Sequence, residues 1–281
     1  METIMDNNLR LRDQAVLDQA QAKVQSLLQQ YIFDEKDLYQ RKTKEAMDSV
    51  LKQNEACLDT YGIIHETDKA SIIVKNGKMG LPHDYLRHYE RFLQDFRDKE
   101  IAVIEFGCYE GASLRLWEDY FPKAIIYGVD IVTKAQEYVT DRINIVIGNA
   151  VHQDTYDAIE QDLIGKQPSV IIDDASHAWS EQRITLMMFW KMLAPGGIYI
   201  IEDLECGTQG AYAEYKPAID DAQPFFEFIQ DRCRVLRWPV GRAGFEEQAH
   251  QQLPEIIQTF EEELDMCTFI PGAIILRKKD K

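Results

Sequence analysis

From residue 101 onward one unit recurs: a short, continuous apolar run ending in a polar group, followed by a stretch of helical length. The runs are Ile101–Phe106, Ala124–Asp130, Ile143–Asn149, Ser169–Asp173 and Ile198–Asp203. None alternates apolar with polar residues, so each reads as a strand covered on both faces, the condition of a parallel sheet. The segments between them, clearest at Glu181–Leu193, supply the crossover helices of a doubly wound α/β sheet. Leu193-Ala194-Pro195-Gly196-Gly197 stops that helix before the fifth run. A long insertion follows from Cys206 to about Asp265. Beyond it, Met266–Ile270 and Ala273–Arg277 flank Pro271-Gly272 and predict a closing antiparallel hairpin, which brings the sheet to seven strands.

The front of the chain has a different texture. Residues 1–61 contain neither glycine nor proline, which marks a helical appendage to a domain spanning 62–281. Leu17, Ala20, Val24, Leu27 and Tyr31 recur at spacings of three and four, and Leu38 to Leu58 reads as a second helix with Met47, Val50, Leu51 and Leu58 on one side. These stripes must be buried, either on the chain's own domain or between subunits, so a homo-oligomer formed through the helices is one expectation.

Acidic residues outnumber basic ones 48 to 31, a net charge of −17, and the one tight basic cluster is Arg277-Lys278-Lys279. Such a chain repels a phosphate backbone at long range, and nucleic acid is not an expected partner. No apolar run is long enough to cross a bilayer and no secretory signal is readable, so a cytoplasmic protein is expected. The five cysteines are scattered without a CxxC pair and read as reduced thiols.

Chemistry concentrates at the ends of the strands, where ligands of such sheets bind. The first run leads into Glu105-Phe106-Gly107-Cys108-Tyr109-Glu110-Gly111 and then a helix. Gly107 and Gly111 permit a sharp turn and close approach of a ligand. A dinucleotide fingerprint needs glycine where Tyr109 stands, which weakens the rival reading of a nicotinamide-dependent oxidoreductase. The second run ends in Asp130, placed to accept both hydroxyls of a ribose, unless it caps the following helix. The third ends in Gly148-Asn149-Ala150, which could read an adenine edge or only turn the chain.

EFGCYEG, GVD, LAPGG and the closing hairpin together resemble the class I S-adenosylmethionine-dependent methyltransferases from about Gly62 to the end. In that fold the fourth and fifth runs are neighbours roughly 5 Å apart. Carboxylates of Asp173-Asp174-Ala175-Ser176-His177 and of Glu202-Asp203 would then converge. A hard cation such as Mg²⁺ between them would relieve their repulsion, with His177 placed to take a proton. The alternative is a helix cap at Asp174 or Ser176 with Glu202-Asp203 solvated. These segments look like the metal-dependent O-methyltransferases of macrolide and other antibiotic sugars. That resemblance implies Asp174, Glu202 and Asp203 as ligands and His177, with Asp174, as the catalytic pair. It also places Glu105, Gly107, Gly111, Asp130, Asn149, Ala150, Asp173 and Lys69 on the cofactor.

Thr67-Asp68-Lys69 and His83-Asp84-Tyr85-Leu86-Arg87-His88-Tyr89-Glu90 resemble the TDK and HxYxxxYE segments of the same group, while Lys75-Asn76-Gly77-Lys78 lies in a loop between them. The bland alternative is a helix with Tyr85 and Tyr89 on its apolar face. Tyr212, Tyr215, Phe225, Phe226, Phe228 and Trp238 in the insertion would wall an acceptor pocket. The expectation is therefore a methyltransferase acting on a small-molecule hydroxyl, with a non-catalytic scaffold as the non-enzyme rival.

Overall fold

The computed structural model describes residues 2–31, 33–34, 37–75, 78–207, 229 and 255–280. The aromatic residues expected to wall an acceptor pocket, Tyr212 to Trp238, lie outside the described residues, as do Asn76 and Gly77. The chain forms two compact units, residues 1–98 with 115–122 and residues 99–114 with 123–281.

The first unit is helical and contains α1 (Glu2–Gln30), α2 (Leu38–Val50), α3 (Leu58–His65), the short antiparallel pair β1 (Val74–Lys75) and β2 (Lys78–Met79), and α4 (Leu86–Leu93). Leu17, Ala20, Val24 and Leu27 are buried, and α1 packs on α2 and α3. The stripe is thus covered within one chain, by elements of its own unit, and a subunit interface is not needed to bury it.

The single helix expected from Leu38 to Leu58 is two. Gln21, reaching across from α1, donates through Nε2 to the carbonyls of Val50 (3.1 Å) and Gln53 (3.0 Å), satisfying acceptors freed where α2 ends. Thr60 Oγ1 accepts from the Cys57 amide at 2.8 Å and opens α3. Leu51 is left half-exposed while Leu58 is buried.

A polar network sits inside this unit. The Tyr61 hydroxyl donates to Asp13 at 2.5 Å, and Arg97 Nη2 bonds both Asp13 and the Tyr61 hydroxyl. The Arg97 guanidinium lies 5.4 and 5.0 Å from the ring centres of Tyr61 and Tyr120, so its charge is met by a carboxylate and two π faces.

The second unit carries β3 (Ala102–Phe106), α5 (Ala112–Tyr120, whose later residues group with the first unit), β4 (Ile125–Asp130), β5 (Ile143–Ile147), α6 (Gln153–Leu163), β6 (Val170–Asp173), α7 (Trp179–Phe189), β7 (Ile198–Ile201), α8 (Glu255–Glu263), β8 (Leu264–Ile270) and β9 (Ala273–Lys278). The seven strands run in the order β5-β4-β3-β6-β7-β9-β8. The first five are parallel, and β9 is antiparallel to both its neighbours. This is the expected doubly wound sheet with its antiparallel hairpin. β3, β6 and β7 are buried along their whole length, which is why their sequences are continuous rather than alternating. The helix expected after Asp130 is a 3-10 segment, Thr133–Tyr138. Lys278 closes the turn after α7: its buried Nζ donates to the carbonyls of Trp190 (3.0 Å) and Leu193 (3.1 Å) and pairs with Glu263.

Candidate active site

Chain order changes direction at β3, whose neighbours are β4 and β6, so a crevice opens at the carboxyl ends of these strands. Glu105 and Gly107 lie at the end of β3, Asp130 at the end of β4, Asn149 after β5, and Asp173 and Asp174 at the end of β6. The strand register aligns Phe106 with both Val129 and Asp173, bringing these ends level.

Gly107 has φ +87, and a Cβ there would lie 2.1 Å from the carbonyl oxygen of Asp174. Its first duty is therefore to let the β6 loop pass, a tighter constraint than the ligand approach read from the sequence. Gly111 has φ +68 and abuts the ring of Tyr138. Tyr109, on the intervening turn, has φ 41 and is 80% exposed.

Asp130 shapes the same turn. One carboxylate oxygen accepts the amides of Cys108 (2.8 Å) and Tyr109 (3.2 Å), and the other accepts Val132 N at 2.8 Å. Glu105 is fully buried and accepts the Ser113 hydroxyl at 2.7 Å, tying the strand to the first turn of α5. Ser113 was given no role from the sequence, although a hydroxyl in the first turn of the helix after a glycine loop is a readable signal. Asn149 Oδ1 accepts Val151 N at 3.1 Å in a local turn, and Ala150 is buried.

The ends of β6 and β7 bring together Asp174, His177 and Asp203, one ligand-type atom from each lying within 4.8 Å of the others. His177 Nδ1 is 3.8 Å from Asp174 Oδ1 and 3.6 Å from Asp203 Oδ2. His177 (φ 56) and Asp203 (φ 55) both hold left-handed backbone conformations that L side chains avoid, as residues at functional sites often do. Glu202, the third expected ligand, does not join this group. It is fully buried, and its main-chain amide pairs with the Asp173 carbonyl at 2.9 Å. Asp173 is also buried; desolvation pushes its carboxyl up to about 7, with the neighbouring Asp174 adding to the effect. Two carboxylates and an imidazole on two strand ends can hold a divalent cation, and the imidazole can also move a proton.

In the first unit, the segments containing Lys69 and His83 join each other. His83 N donates to Asp68 O at 2.7 Å, and the Lys69 carbonyl accepts from Tyr85 N (2.8 Å) and Leu86 N (3.1 Å). The Lys69 side chain is buried. Tyr85 and Tyr89 are buried and stacked with ring centres 5.8 Å apart, as the bland alternative has it. Glu90 takes the Leu58 amide at 2.5 Å and the Tyr120 hydroxyl at 3.0 Å, a packing role.

The fold is that of the class I S-adenosylmethionine-dependent methyltransferases. The chain is also similar in sequence to O-methyltransferases of macrolide and other polyketide sugars. It is 32% identical over 137 residues to the mycinamicin VI 2''-O-methyltransferase of Micromonospora griseorubida, covering 45% of this chain and 33% of that protein. It is 32% identical over 144 residues to the L-olivosyl-oleandolide 3-O-methyltransferase of Streptomyces antibioticus, covering 48% and 36%. The chain thus matches about a third of the length of these relatives. Among solved structures, the MycE methyltransferase from the mycinamycin biosynthetic pathway, in complex with Mg, SAH and mycinamycin VI, superposes with a TM-score of 0.61. That match has 19% identity and covers 89% of this chain and 64% of MycE. No family model matches the chain.

Proposed function

We propose that the chain is an S-adenosylmethionine-dependent, Mg²⁺-assisted O-methyltransferase acting on a hydroxyl of a small natural product of sugar or polyketide type. The observation that carries this reading is the convergence of Asp174, His177 and Asp203 at the carboxyl ends of β6 and β7. The similarity to methyltransferases of antibiotic sugars, one of whose structural neighbours was solved with Mg and SAH, supports it.

Asp174 and Asp203 would hold the cation, since carboxylate oxygens suit a hard ion. Glu202, next to Asp203 at the end of β7, is kept as the third proposed ligand by resemblance. When bound, the cofactor's sulfonium supplies an electrophilic methyl group and the cation polarises the acceptor hydroxyl. His177 takes the hydroxyl proton on Nε2, because its Nδ1 faces the two carboxylates. Gly107 leaves room for the Asp174 carbonyl and Asp130 fixes the glycine turn through three amides; with Glu105 and Gly111 they are proposed to line the cofactor. Lys69, Asn149, Ala150 and Asp173 are proposed cofactor neighbours by resemblance.

The four cysteines among the described residues are free thiols, in keeping with a reducing cytoplasm as the site of action. No helix of the described residues is long and apolar enough to cross a membrane. A homo-oligomer through the N-terminal helices stays part of the proposal, on faces other than the covered α1 stripe.

Calorimetry with S-adenosylhomocysteine, followed by a product assay over glycosylated macrolides and aromatic polyketides, tests the reading. Binding of S-adenosylhomocysteine and a methylated sugar hydroxyl are expected. Failure of S-adenosylhomocysteine to bind would remove the cofactor assignment.

A further inference from the structure

Asp203 reaches the candidate metal site from a backbone conformation with φ 55, and a non-glycine residue is held there only when its surroundings enforce it. The peptide groups on either side of it show what does so. The Glu202 amide donates to Asp173 O at 2.9 Å, continuing the β6–β7 ladder, and Leu204 N donates to Gly272 O at 2.9 Å in the turn of the closing hairpin. The two carbonyls are taken by side chains of one helix: Gln182 Nε2 donates to Glu202 O at 2.8 Å and Trp179 Nε1 donates to Leu204 O at 2.9 Å. A carbonyl oxygen can only accept, so the amide end of Gln182 that faces it is settled by chemistry. Gln182 is 1% exposed and Trp179 9%, so both bonds are shielded from water.

We infer that Trp179 and Gln182 are positioning residues for Asp203, acting as a two-point clamp on the backbone that carries it. They stand three apart on the first turns of α7 and so share a face of that helix. The same helix begins two residues after His177 and follows directly on the loop that bears Asp174. One helix therefore fixes both halves of the site: its start carries Asp174 and His177, and its first inward side chains hold the peptides around Asp203. The inference rests on the metal reading proposed above and adds to it the residues that set its geometry. Groups that orient a metal ligand cost about 10- to 100-fold in metal affinity when removed.

The test uses Mn²⁺ as the probe, with its binding to the full chain followed by electron paramagnetic resonance. Trp179→Phe keeps an aromatic ring but removes the N–H donor, and Gln182→Met keeps the length but removes the amide. Thr185→Val is the control, because Thr185 is a buried polar residue of the same helix whose hydroxyl, among the described residues, bonds its own turn at Glu181 O (3.0 Å). The clamp predicts Mn²⁺ affinity lowered about 10-fold in Trp179→Phe and in Gln182→Met, with Thr185→Val binding as wild type does. If Gln182→Met does not fold, Trp179→Phe decides alone. Wild-type affinity in the folded clamp variants overturns the inference and leaves the metal site standing. Absence of Mn²⁺ binding in the wild-type chain removes the metal reading and the clamp's purpose with it, an outcome distinct from the first.

Discussion

At the residue scale, Gly107 joins the two halves of the site. A Cβ would strike the Asp174 carbonyl, and the positive φ adds strain for any L side chain. Gly107→Ala should destabilise the protein by about 1–3 kcal/mol, the range for overpacking, and should weaken metal binding as well as cofactor binding. Denaturant melts and Mn²⁺ titration check both effects; wild-type metal affinity in the variant would separate Gly107 from Asp174. A second residue, Asp59, makes stability depend on pH. Burial pushes its carboxyl above the usual aspartate range, against the Ser71 amide and hydroxyl that donate to it at 2.7 and 2.5 Å. The fold therefore keeps a proton that the unfolded chain releases above about pH 4. Its contribution is fully present below that pH and is lost as pH rises through the raised folded value. Asp59→Asn should gain on wild type in thermal midpoint as pH climbs from about 4.5 to 8. A constant gap would show that Asp59 does not titrate across that range.

At the element scale, most strands were legible and one helix was not. A strand buried on both faces must be apolar at every position, so β3, β6 and β7 announced themselves within a residue or two of their observed ends. The break between α2 and α3 was hidden because its cause lies in another helix: the Gln21 side chain closes α2, and nothing near Leu51 forbids continuing. The DDASH and ED segments were readable because paired carboxylates on adjacent strand ends are costly without a reason. That Asp203 meets Asp174 and His177 from a left-handed backbone conformation at the end of β7 is a detail no spacing reveals. Trp179 and Gln182 escaped notice because a Trp and a Gln in a helix read as packing and surface until their partners are known. The α1 stripe supplies a prediction of its own. Val24 is fully buried within the helical unit, so Val24→Asp should cost about 3 kcal/mol or more through an unpaired buried charge. Chemical denaturation measures the loss, and scattering should show the assembly size of the folded fraction unchanged.

At the scale of the whole molecule, the sheet supplies the site's geometry before any side chain is considered. Five parallel strands end on one edge, chain order reverses at β3, and the polar ends of β3, β4, β6 and β7 are brought level by register. The helical unit buries the α1 stripe within itself, and the metal site proposed here rests on the sheet unit. The central claim is that Asp174 and Asp203 hold a divalent cation required for methyl transfer. The most direct measurement is the rate of transfer to an acceptor found in the product screen, in excess chelator and again on adding back Mg²⁺, for wild type and Asp203→Asn. The account predicts that chelation abolishes transfer, that Mg²⁺ restores it, and that Asp203→Asn needs at least about ten times more Mg²⁺ for half-maximal rate. Full activity of the wild-type chain in excess chelator would contradict it.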